Sequence, residues 1–291
     1  MDRITKKAYA KINLFLDVIS RYPDGYHEVN TVMQTVSLFD EVEIELCEHG
    51  IEIICDNDRI PTDNKNIVWK AVELFFEQVH DISQKGVKIN IKKHIPVEAG
   101  LAGGSADAAA VLCGINELAG YPIGFERLLE IGSMLGADVP FCMKGGTAYA
   151  DAKGDKLYQI SPIENFWFVI ACGAESISTP WAYQQLDAKF NDFSKGSYSP
   201  RDINAFKERL ALGDVSGVYN IFERVILPTC PVARRIKEML NNEGALSSLM
   251  SGSGPAVFGI FDNRELAEKA ADKISSLGYF VHVATPIKKN F

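Results

Sequence analysis

Pro96-Val97-Glu98-Ala99-Gly100-Leu101-Ala102-Gly103-Gly104-Ser105 lies between two segments of opposite periodicity. Before it, Val87, Ile89 and Ile91 alternate with Lys88, Asn90 and Lys92, the pattern of a strand with one buried face. Behind it, Ala106 to Ala119 reads as a helix buried through Ala109, Leu112, Ile115 and Leu118/Ala119. The order is strand, glycine loop, helix. Three glycines let the backbone approach a ligand closely, and the helix opens with unpaired N–H groups at its positive dipole end. Such a junction is an anion site suited to phosphate. The competing reading is a tight turn that keeps glycine only for packing. No lysine follows Gly103 or Gly104, so this is not a Walker A loop; GxGxxG and the protein-kinase HRD and DFG sets are absent too. Gly103-Gly-Ser-Ala-Asp107 imitates a nucleophile elbow without its last glycine, which leaves Ser105 as a hydrolase candidate.

Toward the N-terminus, Ile12, Leu14, Leu16 and Val18 share one face of a strand over Ala8 to Val18, and Lys11, Asn13 and Asp17 share the other. Lys11 and Asn13 are then about 6.8 Å apart. Tyr22-Pro-Asp-Gly-Tyr26 is turn chemistry, and His27 follows it. Two strands are expected next, Thr31 to Leu38 and Glu41 to Leu46, and then a helix from Ile67 to about Val79 capped within Asp63 to Asn66. A helix from Phe125 to Leu135 stops at Gly136. In Ala137-Asp-Val-Pro140 the proline is expected to push Val139 out of helical geometry. Asp138 therefore reads as a loop or capping acid, or as a functional carboxylate. Lys11 reads as an exposed-face lysine. If the two met, each would hold the other ionised and could activate a hydroxyl.

Strands around Gly146 to Asp151 and Lys156 to Ile160 lead to Ser161-Pro-Ile-Glu-Asn165, where a boundary divides residues 1–160 from 161–291. Phe166 to Cys172 is a strand, a helix starts near Ser178, and Asn191 to Pro200 is a polar loop. Helices are expected over Asp202 to Leu212, Val215 to Phe222 and Val232 to Asn241. Strands Leu246 to Met250 and Ala256 to Phe261 flank the small-residue turn Ser251-Gly-Ser-Gly-Pro255; a helix, Glu265 to Leu277, and a strand, Tyr279 to Thr285, follow. Helices over an antiparallel sheet make this half α+β.

At 291 residues the chain is long enough for two domains. Its net charge of −8 excludes broad nucleic-acid binding while leaving room for a local phosphate pocket. The six cysteines include no CxxC pair, the five histidines (27, 49, 80, 94 and 282) show no ligand spacing, and the metal ligands cannot be named. The longest strongly apolar run, Phe166 to Cys172, is too short for a bilayer. A soluble chain in a reducing compartment, the cytoplasm, is expected.

Ala8-Tyr-Ala-Lys-Ile-Asn-Leu14, Asp24-Gly-Tyr-His27, the 96–105 loop, Gly136-Ala-Asp-Val-Pro-Phe141 and Met250-Ser-Gly-Ser-Gly-Pro255 together resemble the motif set of the GHMP small-molecule kinases. The resemblance implies an N-terminal domain like the second domain of ribosomal protein S5 and a ferredoxin-like C-terminal domain. It implies ATP on the glycine loop, a Mg²⁺ requirement, and transfer of the γ-phosphoryl to the 2-hydroxyl of a cytidylyl-methylerythritol in the non-mevalonate isoprenoid route. By similarity Asp138 is the base and Lys11 stands beside it. Asn13 orients the acceptor, and Tyr26 and His27 hold the cytidine. Tyr183 gives the opposite stacking face, and Thr179 approaches the substrate. Asn66 and Lys93 look like adenosine-side contacts, and the Gly252-Ser253-Gly254 turn closes over the site.

Three positions depart from the family pattern: Glu98 and Ala102 where small residues or glycine are usual, and Ala106 where a hydroxyl is frequent. Glu98 places negative charge at the rim of a phosphate loop. The rival readings are a GHMP kinase of a sugar or homoserine, a hydrolase using Ser105, and a non-catalytic nucleotide-binding relative.

Overall fold

Two strands of unusual length, β1 (Arg3–Arg21) and β2 (His27–Cys47), pair antiparallel from end to end and carry most of the site. The computed structural model describes residues 3–79, 86–193 and 197–289. His80 and residues 194–196 of the polar stretch lie outside the described residues. The two strands expected at Thr31 to Leu38 and Glu41 to Leu46 are one strand. Phe39 and Asp40 continue the ladder, and buried Asp40 finds its partners in the loop after β4.

Strand β3 (Ile51–Cys55) went unread in the sequence and lies parallel to β4 (Gly86–Lys92). Between them runs α1 (Ile67–Gln78), capped by Asn66, whose Oδ1 accepts from Val68 N at 2.9 Å. After the glycine loop come α2 (Gly103–Leu118), α3 (Phe125–Leu135) and α4 (Asp138–Lys144), then the hairpin of β5 (Thr147–Asp151) and β6 (Lys156–Gln159). The first sheet runs β3-β4-β2-β1, with β5 joined to the first half of β2. Helices α1, α2 and α4 cover one of its faces through Ala71, Phe75, Ala109, Leu112 and Val139, and α3 packs on those helices.

Val139 is helical, contrary to expectation. Pro140 falls in the first turn of α4, where its missing N–H removes no helical bond. Asp138 thus begins a helix.

The second half contributes β7 (Trp167–Cys172), α5 (Thr179–Phe190), α6 (Ile203–Ala211), β8 (Tyr219–Asn220), α7 (Glu223–Ile226) and α8 (Pro231–Asn242). It ends with β9 (Ser247–Met250), β10 (Val257–Phe261), α9 (Arg264–Ser275) and β11 (Phe280–Ala284). The sheet order β11-β7-β10-β9, antiparallel throughout, with α8 and α9 against it, is the ferredoxin-like arrangement. The helix expected over Val215 to Phe222 does not form. Tyr219 and Asn220 instead add a short parallel strand to β1, and the Asn220 amide donates to the carbonyls of Met250 and Gly252.

That packing explains a second correction. The first half of the chain covers one side of β1 and the second half the other, so Lys11, Asn13 and Asp17 are all buried instead of exposed. Each is satisfied by a partner, as burial of a polar group requires.

Candidate active site

A cleft of about 900 Å³ opens where the glycine loop, the β1–β2 hairpin, the start of α4 and the second half of the chain converge. Lys11 enters its floor from β1. Its backbone N–H donates to Leu101 O at 3.1 Å, which fastens the strand to the glycine loop. Lys11 is 5% exposed, and its ammonium donates to Asn13 Oδ1 at 2.7 Å and lies 3.6 Å from Asp138 Oδ2. Asn13 Nδ2 donates in turn to Thr31 Oγ1, and Thr31 to Phe15 O. The line of bonds leaves Asn13 one orientation, so the lysine is aimed at the acid. Asp138 keeps 37% of its side chain exposed at the positive end of α4. The two groups meet at the cleft.

Above them, α2 begins at Gly103, three residues earlier than expected, so Gly103, Gly104 and Ser105 form its first turn. Ala106 N is the first to bond back, to Ala102 O at 2.9 Å, and Gly103, Gly104 and Ser105 before it line the cleft. Gly100 has φ +79°, and a Cβ there would stand 2.1 Å from Ser251 O. Only glycine fits, because the loop is laid directly on the turn from the second half. Ser251 Oγ donates to Gly100 O at 2.9 Å, and Asn13 N donates to Ser251 Oγ at 3.3 Å. Ala256 N donates to Ala99 O. Thr179, at the start of α5, has its hydroxyl 2.9 Å from that of Ser253.

At the hairpin tip Tyr26 is 63% exposed with Lys153 4.1 Å over its ring, while Lys153 also pairs with Asp24 at 2.6 Å. His27 is buried and stacks on Tyr183, with centroids 4.5 Å apart and planes at 20°. One face of Tyr183 is therefore taken by an imidazole, and Phe222 stands edge-on to the ring at 5.0 Å.

The family model "GHMP kinases N terminal domain" matches residues 66–146 and "GHMP kinases C terminal" matches 194–279. A protein of Caldicellulosiruptor saccharolyticus named 4-diphosphocytidyl-2-C-methyl-D-erythritol kinase is 44% identical over 269 residues, 92% of this chain and 91% of that one. The chain belongs to the GHMP kinase family. A Geobacter sulfurreducens protein with the same name is 41% identical, covering 96% and 98% of the two chains. A crystal structure of 4-(cytidine 5'-diphospho)-2C-methyl-D-erythritol kinase superposes with TM-score 0.80 at 29% identity over 97% of this chain and 99% of that one. Homoserine kinase from Cytophaga hutchinsonii, at 22% identity and TM-score 0.71, shares the fold.

Within this GHMP kinase, the cleft gathers Lys11, Asn13, Tyr26, His27, Asp138, Thr179, Tyr183, Gly252, Ser253 and the loop from Pro96 to Ser105 apart from Val97. Asn66 and Lys93 do not line it. Asn66 spends both ends of its amide inside the fold, on Val68 N and on Pro61 O. The Lys93 ammonium, 3% exposed, is held between Asp40 and Asp107. It lies beneath the loop, 3.3 Å from where a Cβ on Gly103 would be. Glu98 lines the cleft and pairs with Arg59 at 3.4 Å in the open, which offsets its charge. Ala102 has φ +58°, a conformation that a glycine takes without strain.

Ser251, Lys153 and Asp187 were missed by sequence reasoning. Asp187 accepts from His27 Nε2 at 2.7 Å. Its four-residue spacing from Tyr183 on α5 puts both on one helix face, and this was the available signal. Ser251 and Lys153 act through tertiary contacts that no local spacing marks. The buried Cys113 and Cys172 thiols are pushed up to about 12 by desolvation, which removes them as nucleophiles at neutral pH.

Proposed function

We propose that this GHMP kinase transfers the γ-phosphoryl group of ATP to the 2-hydroxyl of 4-diphosphocytidyl-2-C-methyl-D-erythritol, a step of the non-mevalonate (MEP) route to isoprenoid precursors. The observation that carries the proposal is the 3.6 Å meeting of Lys11 and Asp138 in a cleft that also holds the glycine loop and the Tyr26–His27 tip. Asp138 accepts the proton of the acceptor hydroxyl. The freed oxygen bonds to the γ-phosphorus as the bond to the β-phosphate oxygen breaks, and ADP leaves with that electron pair. Lys11 keeps the carboxylate charged and offsets the charge on the transferring group. Asn13, tied to Thr31, holds the amine in place. The first turn of α2 receives the phosphates. Phosphoryl transfer asks mainly for positioning and charge stabilisation, so this short list suffices.

Mg²⁺ belongs to the same proposal. Among the described residues no group of three acidic, histidine or cysteine side chains surrounds one point. The cleft's Ser105 and Asp138 oxygens fit an ion that arrives on the nucleotide, and they are the groups that would hold it. When bound it would neutralise phosphate charge.

The proposal includes the division into residues 1–160 and 161–291, supported by the gap between β6 and β7. It also includes a cytoplasmic location, supported by the absence of any disulfide among the described cysteines. No helix among the described residues is long and apolar enough to cross a membrane.

A hydrolase built on Ser105 is disfavoured, because no histidine bonds Ser105 among the described residues and His27 is bound to Asp187. The test is ADP release by purified protein given the cytidylyl substrate, ATP and Mg²⁺. Substrate-dependent turnover is expected; release no faster than with homoserine or a sugar would sink the proposal.

A further inference from the structure

His27 is fixed on three sides. Tyr183 covers one ring face, Phe193 meets it edge-on at 5.8 Å, and Asp187 Oδ1 lies 2.7 Å from Nε2. Arg21 stands 3.4 Å from the other oxygen of Asp187 and 2.6 Å from Asp192. A carboxylate flanked by a guanidinium is an acceptor at both oxygens, so Nε2 must carry the hydrogen. In neutral imidazole the remaining nitrogen, Nδ1, then carries the lone pair. His27 lines the cleft, and among the described residues nothing donates to its Nδ1. Turning the ring over would break the Asp187 bond within a stacked, buried site.

We propose that Asp187 is a positioning residue that sets base specificity, by locking His27 in the tautomer whose Nδ1 accepts a hydrogen bond from the cleft side. This rests on the reading of the cleft as a cytidine diphosphate site. An acceptor at that point matches the exocyclic amino group of cytosine, which donates, and opposes the O4 of uracil, which only accepts. The two pyrimidines have nearly the same shape, so stacking on aromatic rings cannot separate them. A fixed acceptor can. One well-placed base-edge contact discriminates by about tenfold or more. Without Asp187 the imidazole is free to exchange tautomers or flip, and either change offers a donor that suits uracil.

The experiment is a calorimetric titration of the full chain with CDP and with UDP, for wild type, Asp187→Leu and Asp187→Asn. Leucine removes the acceptor at similar size. Asparagine keeps the shape but presents either an acceptor or a donor to Nε2, so it holds both tautomers. Wild type is expected to prefer CDP by about tenfold or more. In both variants the ratio should fall to within about threefold, while ATP affinity, read in the same preparations as a check of folding, stays put. A variant that binds ATP normally and keeps the wild-type ratio overturns the positioning role alone. Wild type that binds CDP no better than UDP overturns the cytidine reading, and this proposal with it. A second readout needs no variant at Asp187: ¹⁵N spectra of the imidazoles, with the His27 signal assigned by its loss in His27→Gln. Nδ1 without a hydrogen supports the proposal, and a protonated Nδ1 defeats it.

Discussion

A lysine that is 5% exposed needs partners for its charge, and Lys11 has two, Asn13 Oδ1 and the Asp138 carboxylate. Asp138 in turn stays open enough to reach a substrate hydroxyl. Replacing Asp138 with asparagine keeps size and most packing but removes the carboxylate proposed as the proton acceptor. We expect kcat to fall by about 10²–10⁴-fold, with ATP affinity changed little, measured by steady-state ADP release and by nucleotide titration. Retained kcat would move the base elsewhere. These two residues were visible in the sequence as types at positions, but their burial was not. Strict alternation in β1 predicts an exposed Lys11 only if one face of the strand meets water. Here that face is covered too: Lys11 meets Asp138 at the start of α4, Asn13 bonds Thr31, and Asp17 bonds Tyr198 and Arg201 N, and no pattern within residues 8–18 announces these contacts.

At the scale of elements, the glycine loop works because it leans on another turn. Gly100 abuts Ser251, and Ser251 joins it to Asn13 through one hydroxyl. Gly100→Ala would pay for a left-handed φ, about 1 kcal/mol, and would also drive a methyl into a backbone carbonyl that cannot step aside. We expect KM for ATP to rise tenfold or more and the melting temperature to drop. Gly124→Ala, where φ is ordinary and a Cβ meets nothing within 4 Å, is the control and should behave like wild type. If Gly100→Ala also behaves like wild type, the contact is not what shapes the loop.

The strand, glycine loop and helix order, α3 with its Gly136 stop and the antiparallel sheet with helices in the second half were legible from local spacing, whereas the ferredoxin-like arrangement was an implication of the family resemblance. Three elements were misread, two for tertiary reasons and one for a local reason. Asp40 sits inside a continuous β2 because Lys93 and two backbone N–H groups satisfy it. Residues 215–222 have helical spacing but are drawn into β8 beside β1. Pro140 ends helices when it is interior and is tolerated in a first turn, and the start of α4 was not foreseen.

Across the whole molecule the two halves are sewn together more than once. β8 pairs with β1, Val36 bridges Pro286, and Ile287 N donates to Thr35 O. Beneath the phosphate loop, one ammonium, Lys93, serves two buried carboxylates, Asp40 and Asp107. The loss of water and, after it, the negative charge of Asp40 push Asp107 up to about 7, and its Oδ1 has no hydrogen-bond partner among the described residues. Its folded value is therefore raised above the ordinary carboxylate value of 3.8. Below about pH 4 both folded and unfolded states hold the proton, and the group is neutral in its effect. As pH rises through about 4 to 7 the unfolded chain loses the proton first, so this group erodes stability, and the loss is complete above about 7. Asp107→Asn removes the erosion. Denaturant unfolding at pH 4 to 8 should show the variant gaining on wild type across that window, and parallel curves would refute the assignment.

The long hairpin has one more consequence. Lys11 lies midway along β1 and His27 opens β2, so the span between the two ends of the cleft is counted out in residues of a single ladder. Strand geometry spaces such a span at about 3.3 Å per residue, and the register shifts between Asn13 and Phe15 and between Val18 and Ser20 reset which face the side chains beyond them take. A relative that lengthened both strands by two residues between these points would retain the same phosphate chemistry while admitting a molecule longer by one such double step. The ladder works as a caliper, and its setting is inherited with the register.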